Sequence, residues 1–215
     1  MNTPPPEPPG LATTPLLIVI SAPSGGGKTT LCQQLLARHP EMTRAVTCTT
    51  RPPRAGETDG RDYYFIDNDE FSRRIEAGSF LEHAHVHDQC YGTPKPEVLD
   101  NLRRGRDVLL NIDVQGAATV CARATADADL RLALVTVFLT PATVRQLEER
   151  LRRRGTDSPA QLQQRLGAAR HEIEQWTNFQ YVILSTTIAE DLRRMEAIIE
   201  AERMRVGRAT FTIGD

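Results

Sequence analysis

No two of the four cysteines, Cys32, Cys48, Cys90 and Cys121, are close enough in the chain to form a CxxC pair. This argues against a disulfide frame or a zinc knuckle and for reduced thiols, as in a cytoplasmic protein. Long apolar runs are also missing: nothing approaches the roughly 20 residues that a membrane helix needs, so no membrane partner is expected. Residues 1–10 are half proline and lack the basic-then-apolar order of a signal peptide. Residues 1–14 read as a disordered, polyproline-like tail. Charge of one sign is not in excess either. The formal net charge of −2 gives no case for nucleic acid as a partner. There is no internal repeat. What remains is a chain of 215 residues, 25% charged and 40% hydrophobic, long enough to bury one core.

Leu16 to Ile20 is a short continuous apolar run, as expected of a parallel strand covered on both faces. Asp107 to Ile112, Arg131 to Leu139 and Tyr181 to Leu184 read as further core strands, and Ala45 to Thr47 as the end of another. Helix starts are marked between them. Asp67 precedes Glu70 at N3, Ser158-Pro159 and Thr140-Pro141 place proline at N1, and Thr187 precedes Glu190. Strands alternating with helices predict an α/β fold with a parallel sheet flanked by helices. Two segments break that rhythm: residues 47–96, with strand-like pieces at Asp62 to Ile66 and Phe80 to Val86, and a basic stretch around Gly155.

Ala22-Pro23-Ser24-Gly25-Gly26-Gly27-Lys28-Thr29-Thr30 joins the first strand to a helix with leucines at 31, 35 and 36. Such a turn offers several backbone N–H groups and a helix N-terminus to one anion, and glycine allows the close approach. It is a phosphate-binding loop spelled GxxxxGK[ST], with Ala22 at the first glycine. Lys28 is expected to reach the β- and γ-phosphates of a nucleoside triphosphate, and the Thr29 hydroxyl to hold Mg²⁺. Asp113, at the end of the apolar strand, is where a metal- or substrate-facing acid sits in such sheets.

Thr49-Thr50-Arg51-Pro52-Pro53-Arg54-Ala55-Gly56-Glu57 is followed by Gly60-Arg61-Asp62-Tyr63-Tyr64-Phe65, and later by Phe80-Leu81-Glu82 and Tyr91-Gly92-Thr93. Two guanidinium forks and a tyrosine hydroxyl suit a phosphate. A carboxylate such as Glu82 can accept from both donors on the guanine edge. Farther on lies Arg150-Leu151-Arg152-Arg153-Arg154-Gly155-Thr156, with Arg165 beyond it; Arg150 and Arg154 share one helix face.

Together these segments resemble guanylate kinase, over nearly the whole chain after the proline-rich tail. The resemblance implies a P-loop nucleoside-monophosphate-kinase fold with a core of residues 15–46, 97–140 and 172–215. A GMP-binding insert would span 47–96 and a mobile basic lid 141–171. The implied reaction is Mg²⁺-dependent transfer of the γ-phosphoryl group from ATP to GMP, in purine nucleotide metabolism, with no obligatory protein partner. By resemblance, Arg51, Arg54, Tyr63 and Tyr91 would hold the GMP phosphate. Glu82 and Thr93, with Gly92 between the tyrosine and the threonine, would form the guanine side, joined by Thr47. Asp113 would lie near acceptor and metal. Ser24, Gly25, Gly26, Gly27, Lys28, Thr29 and Thr30 would bind ATP. Lys28, Arg150 and Arg165 would act in the transfer, and Arg154 on the donor purine or its phosphates.

The family usually has Asn-Asp-Asp after the last core strand, where this chain has Ser185-Thr186-Thr187, so the donor base is less fixed than the acceptor. His83, His85 and His87 alternate on one strand and could hold a metal. Two other functions remain open: a non-catalytic phosphopeptide-binding module, opposed by Lys28, Thr29, Arg150 and Arg154, and a P-loop kinase of another phosphorylated acceptor, opposed by Glu82 and the Arg51/Arg54 pair.

Overall fold

Every residue from Leu16 to Ile20 has no solvent exposure, which explains why this run shows no alternation: a strand covered on both faces has no polar side. The computed structural model describes residues 11–86, 88–154 and 159–211. The chain runs through β1 (Leu11–Thr13), β2 (Leu17–Ser21), α1 (Lys28–Arg38), β3 (Thr43–Arg44), β4 (Cys48–Thr49), β5 (Tyr64–Phe65) and α2 (Asn68–Glu76). It continues with β6 (Phe80–Val86), β7 (Gln89–Pro94), α3 (Lys95–Arg103), β8 (Val108–Asn111), α4 (Val114–Ala126) and α5 (Ala128–Ala133). Then come β9 (Leu134–Pro141), α6 (Val144–Arg154), α7 (Pro159–Glu174), β10 (Tyr181–Ser185), α8 (Ile188–Arg203) and β11 (Ala209–Phe211).

The central sheet has the order β10-β9-β2-β8-β3, and all its pairs are parallel. Its two faces bury separate apolar clusters. Leu16, Ile18 and Ile20 pack with Leu31 and Leu35 of α1 and with Leu192, Met195 and Ile199 of α8. Leu17 and Val19 point the other way, to Ala117 and Val120 of α4 and Val98 of α3. The period-2 alternation of side chains sends successive residues of one strand into different layers. A second, four-stranded sheet has the order β5-β4-β7-β6, antiparallel except for β4 with β5. Helix α4 joins the two sheets, because Leu81 of β6 shares its cluster with Ala117 and Val120.

Several elements differ from the sequence reading. Residues 11–13, expected as the end of a tail, form β1 and pair antiparallel with β11; residues 1–10 lie outside the described residues. The expected strand from Arg131 begins only at Leu134. Asp127 caps the short helix α5 by accepting from the Leu130 N–H, so Arg131 to Ala133 are helical. Pro141 does not start a helix: it ends β9, opposite Ser185. Thr143 begins α6, its hydroxyl accepting from the Gln146 N–H at 3.2 Å. Ala45 to Thr47 lie between β3 and β4, and Asp62 to Ile66 contain only the two-residue β5. Asp67 and Thr187 cap α2 and α8 as read, accepting from Glu70 N and Glu190 N. Ser158 and Gly155-Thr156 lie outside the described residues.

Candidate active site

The glycine-rich loop leaves the carboxyl end of β2 and enters α1 through two left-handed residues, Gly25 at φ 84° and Gly27 at φ 99°. Only glycine adopts that region without a steric cost. Gly26 is crowded in another way, since a Cβ there would come within 2.8 Å of the Ala22 Cβ and 2.9 Å of the Pro23 carbonyl. Ala22 itself is buried, so a methyl at the first position of the loop points into the core. Lys28 Nζ donates to the Ile112 carbonyl at 2.9 Å. Burial pulls its pKa below the ordinary lysine value, opposed by the Asp113 carboxylate.

Two cavities meet at this loop. One, of about 390 Å³, is lined by Ala22 to Thr30, with Arg165, Ala168 and Glu172 of α7 on the far side. The other, of about 280 Å³, is lined by Arg44, Thr47, Tyr63, Glu82, Tyr91 and Asn111 among others. Lys28, Thr29, Val86 and Asp113 line both. Asp113 caps α4, with Oδ1 accepting from Gly116 N at 2.9 Å; its other carboxylate oxygen has no hydrogen-bond partner among the described residues. A larger cavity, of about 740 Å³, lies at the opposite ends of the strands, beside Pro15, Thr43 and Asp107. Ligands of open α/β sheets bind at the carboxyl ends instead.

Glu82 is 2% exposed, and Thr93 Oγ1 donates to its Oε1 at 2.5 Å. Its pKa is raised to about 7, chiefly by burial and further by the Asp113 charge, against the Thr93 hydrogen bond. The carboxylate fits because α4 has a glycine beneath it: a Cβ at Gly116 would be 2.6 Å from Glu82 Oε2. Tyr63 and Tyr91 face each other edge to face at 6.2 Å.

Other expected residues stand elsewhere. Arg51 is buried outside the cavity wall, held in a two-pronged pair with Glu57 at 2.6 Å to each oxygen. It also stacks 4.8 Å from the centroid of the Tyr63 ring. The same pair keeps the Glu57 carboxyl down at about 2. Arg54 is exposed, and among the described residues its guanidinium makes no hydrogen bond, though its charge acts on Glu57. Gly92 is a packing position, where a Cβ would press on Phe71 and Phe80 at 3.1 Å and 3.0 Å. Arg150 reaches the loop backbone, donating to the Gly26 carbonyl at 3.1 Å. The side chain of Arg154 is outside the described residues. His83 and His85 are exposed, His87 is not described, and no group of three metal-ligating side chains occurs among the described residues.

Sequence reading missed Glu172, whose Oε2 accepts from the Ser24 N–H of the loop at 3.0 Å. Arg165, Ala168 and Glu172 recur at helical spacing, a periodic signal that was there to be read. It also missed Arg44, which lines the Glu82 cavity and donates to the carbonyls of Arg61 and Asp62. Nothing local in the sequence marks that residue.

Comparison with known proteins identifies the family. The family model described as guanylate kinase matches residues 14–202. The chain belongs to the guanylate kinase family. A guanylate kinase from Maricaulis maris is 43% identical over 178 residues, covering 83% of this chain and 79% of the relative. One from Caldanaerobacter subterraneus subsp. tengcongensis is 40% identical over 181 residues, covering 84% of each. The crystal structure of guanylate kinase from Anaplasma phagocytophilum superposes with a TM-score of 0.75 at 32% identity, covering 94% of this chain and 93% of that one. Guanylate kinases are nucleoside monophosphate kinases, so the chain is a phosphotransferase with guanylate kinase function.

Proposed function

We propose that the chain transfers the γ-phosphoryl group of ATP to GMP, giving ADP and GDP, with ATP in the glycine-loop cavity and GMP in the Glu82 cavity. One observation carries the residue assignment: Lys28, Thr29 and Asp113 line both cavities, so donor and acceptor phosphates would meet there. Loop N–H groups and Lys28 bind the triphosphate. The Glu82 carboxylate accepts from the guanine edge, with Thr93 holding its other side, and the tyrosines face the acceptor phosphate. Arg51, held by Glu57, stacks on Tyr63 and supports it, and Arg54 would close on the phosphate.

Mg²⁺ fits the donor set, since the exposed Thr29 hydroxyl and the second Asp113 carboxylate oxygen, which accepts no hydrogen bond among the described residues, are both hard oxygen ligands. When bound, it neutralises phosphate charge during transfer. The chain's own groups do the rest by positioning and charge: Lys28, Arg150 and Arg165 surround the transferred group, and no side chain needs to act as a nucleophile. Arg165 on α7, which lines the glycine-loop cavity, would help to enclose the transferred group and exclude water, which would otherwise hydrolyse the triphosphate. Free cysteines, among them Cys32 with its thiol pushed up to about 12 by burial, suit the reducing cytoplasm.

A coupled assay of ADP release tests the reading. With ATP, GMP should give turnover well above AMP or a sugar phosphate, while dGMP, which carries the same base, measures how far the ribose is read. Turnover with GMP no higher than with AMP would overturn it. The same assay with GTP as donor measures how strictly the donor base is read.

A further inference from the structure

Arg150 is not a free arm of a basic helix. Its Nη1 donates to the Gly26 carbonyl and its Nη2 to Ser185 Oγ, each at 3.1 Å. Ser185 in turn donates to Asp191 Oδ2 at 2.6 Å, and Asp191 Oδ1 accepts from the Thr186 N–H at 3.0 Å. Guanidinium only donates, so the single hydroxyl proton of Ser185 must go to the carboxylate, and the direction of every bond in the chain is fixed. Ser185 and Asp191 are each 4% exposed. Capping α8 does not account for the buried carboxylate, because Thr187 already accepts from Glu190 N at the helix start. The carboxylate sits in the first turn of α8, where the helix dipole favours its charge. It faces the guanidinium through one hydroxyl. The helix that carries Arg150 is fixed as well: Leu147 and Leu151 are buried, and a Cβ at Gly25 would meet Leu151 Cδ2 at 2.9 Å.

We propose that Ser185 and Asp191 are positioning residues for Arg150, holding its guanidinium against the glycine loop before nucleotide binds. The inference rests on the proposed phosphate contact of Arg150. A side chain held in place by packing and a buried hydrogen-bond chain needs less reorganisation when charge develops beside it. Loss of the hydroxyl should therefore lower the rate of transfer and leave acceptor binding intact.

A double-mutant cycle on the full chain, with melting temperatures measured for each variant, is the test. Ser185→Ala should lower kcat about 10-fold with the KM for GMP changed less than about twofold, a loss confined to the transfer step. Asp191→Asn should follow it, and a fully folded Ser185→Ala keeps the test valid if Asp191→Asn melts early. Added to Arg150→Ala, Ser185→Ala should cost nothing further. An equal loss with and without Arg150 would overturn the proposal, as would wild-type kcat in Ser185→Ala. If Arg150→Ala alone kept wild-type kcat while GMP remained the acceptor, the phosphate role of Arg150 would fall, and this inference with it. The GMP assignment would stand.

Discussion

The glycine-loop cavity and the Glu82 cavity share a wall but are built of different material. Around the loop, the wall runs over three glycines and a helix N-terminus, with two of the glycines at positive φ. The Glu82 cavity is lined by side chains, Arg44, Tyr63, Glu82 and Tyr91 among them, and two of these rest on others: Glu82 on Thr93, and Tyr63 on Arg51, which is itself paired with Glu57. Backbone donors recognise an anion of any origin, whereas paired side chains can match the edge of one base. The difference explains why the loop alone indicates a phosphate and the second cavity indicates which nucleotide.

Lys28 touches both halves, so its loss should have the largest effect. Lys28→Ala is expected to lower kcat by about 10³-fold, the scale seen for a group that stabilises developing charge, with the melting temperature preserved. A loss below tenfold would mean that the loop donors act without it.

Glu82→Gln affects only the acceptor half. An amide offers one acceptor and one donor where the carboxylate offers two acceptors, so the KM for GMP should rise about 100-fold while the KM for ATP stays constant. In the native enzyme, kcat/KM for GMP should fall as pH drops below about 7, where Glu82 takes up a proton. Stability runs the other way. Between the unfolded value of 4.5 and the folded value of about 7, the folded state holds a proton that the unfolded state has released. Stability is therefore lost as pH rises through this window, and the penalty is complete above it. Glu82→Gln should accordingly melt higher than the native chain at pH 8, with the gap closing below pH 4.5. A constant gap would show that the carboxyl is not raised.

Gly25→Ala is the smallest change and affects only the loop half. Its positive φ and the 2.9 Å approach to Leu151 predict a loss of about 1–3 kcal/mol in stability, read as a shifted denaturation midpoint. The KM for ATP should rise with it, and the KM for GMP should not.

Much of this was legible in the residues. The buried strand at Leu17–Ser21, the loop, and the caps at Asp67 and Thr187 are local signals, decided by sterics and hydrogen bonds within a few positions. The start of β9 was not legible, because Arg131 to Ala133 are as apolar-compatible with a strand as with a helix, and the Asp127 cap decided it. β1 was equally hidden, since its partner β11 lies almost two hundred residues away.

The sequence by itself determined the strand, glycine-rich loop and helix proposed to bind phosphate, and the set of side chains proposed to receive GMP, because glycine placement and residue chemistry are local properties. Only the tertiary structure decided how those side chains are held. It buried Glu82 over Gly116, tied Arg51 to Glu57, brought Glu172 to the loop and linked Arg150 through Ser185 to Asp191. Burial and the partners of a charged group arise where distant segments pack, and the pKa of a carboxylate or the aim of a guanidinium depends on both.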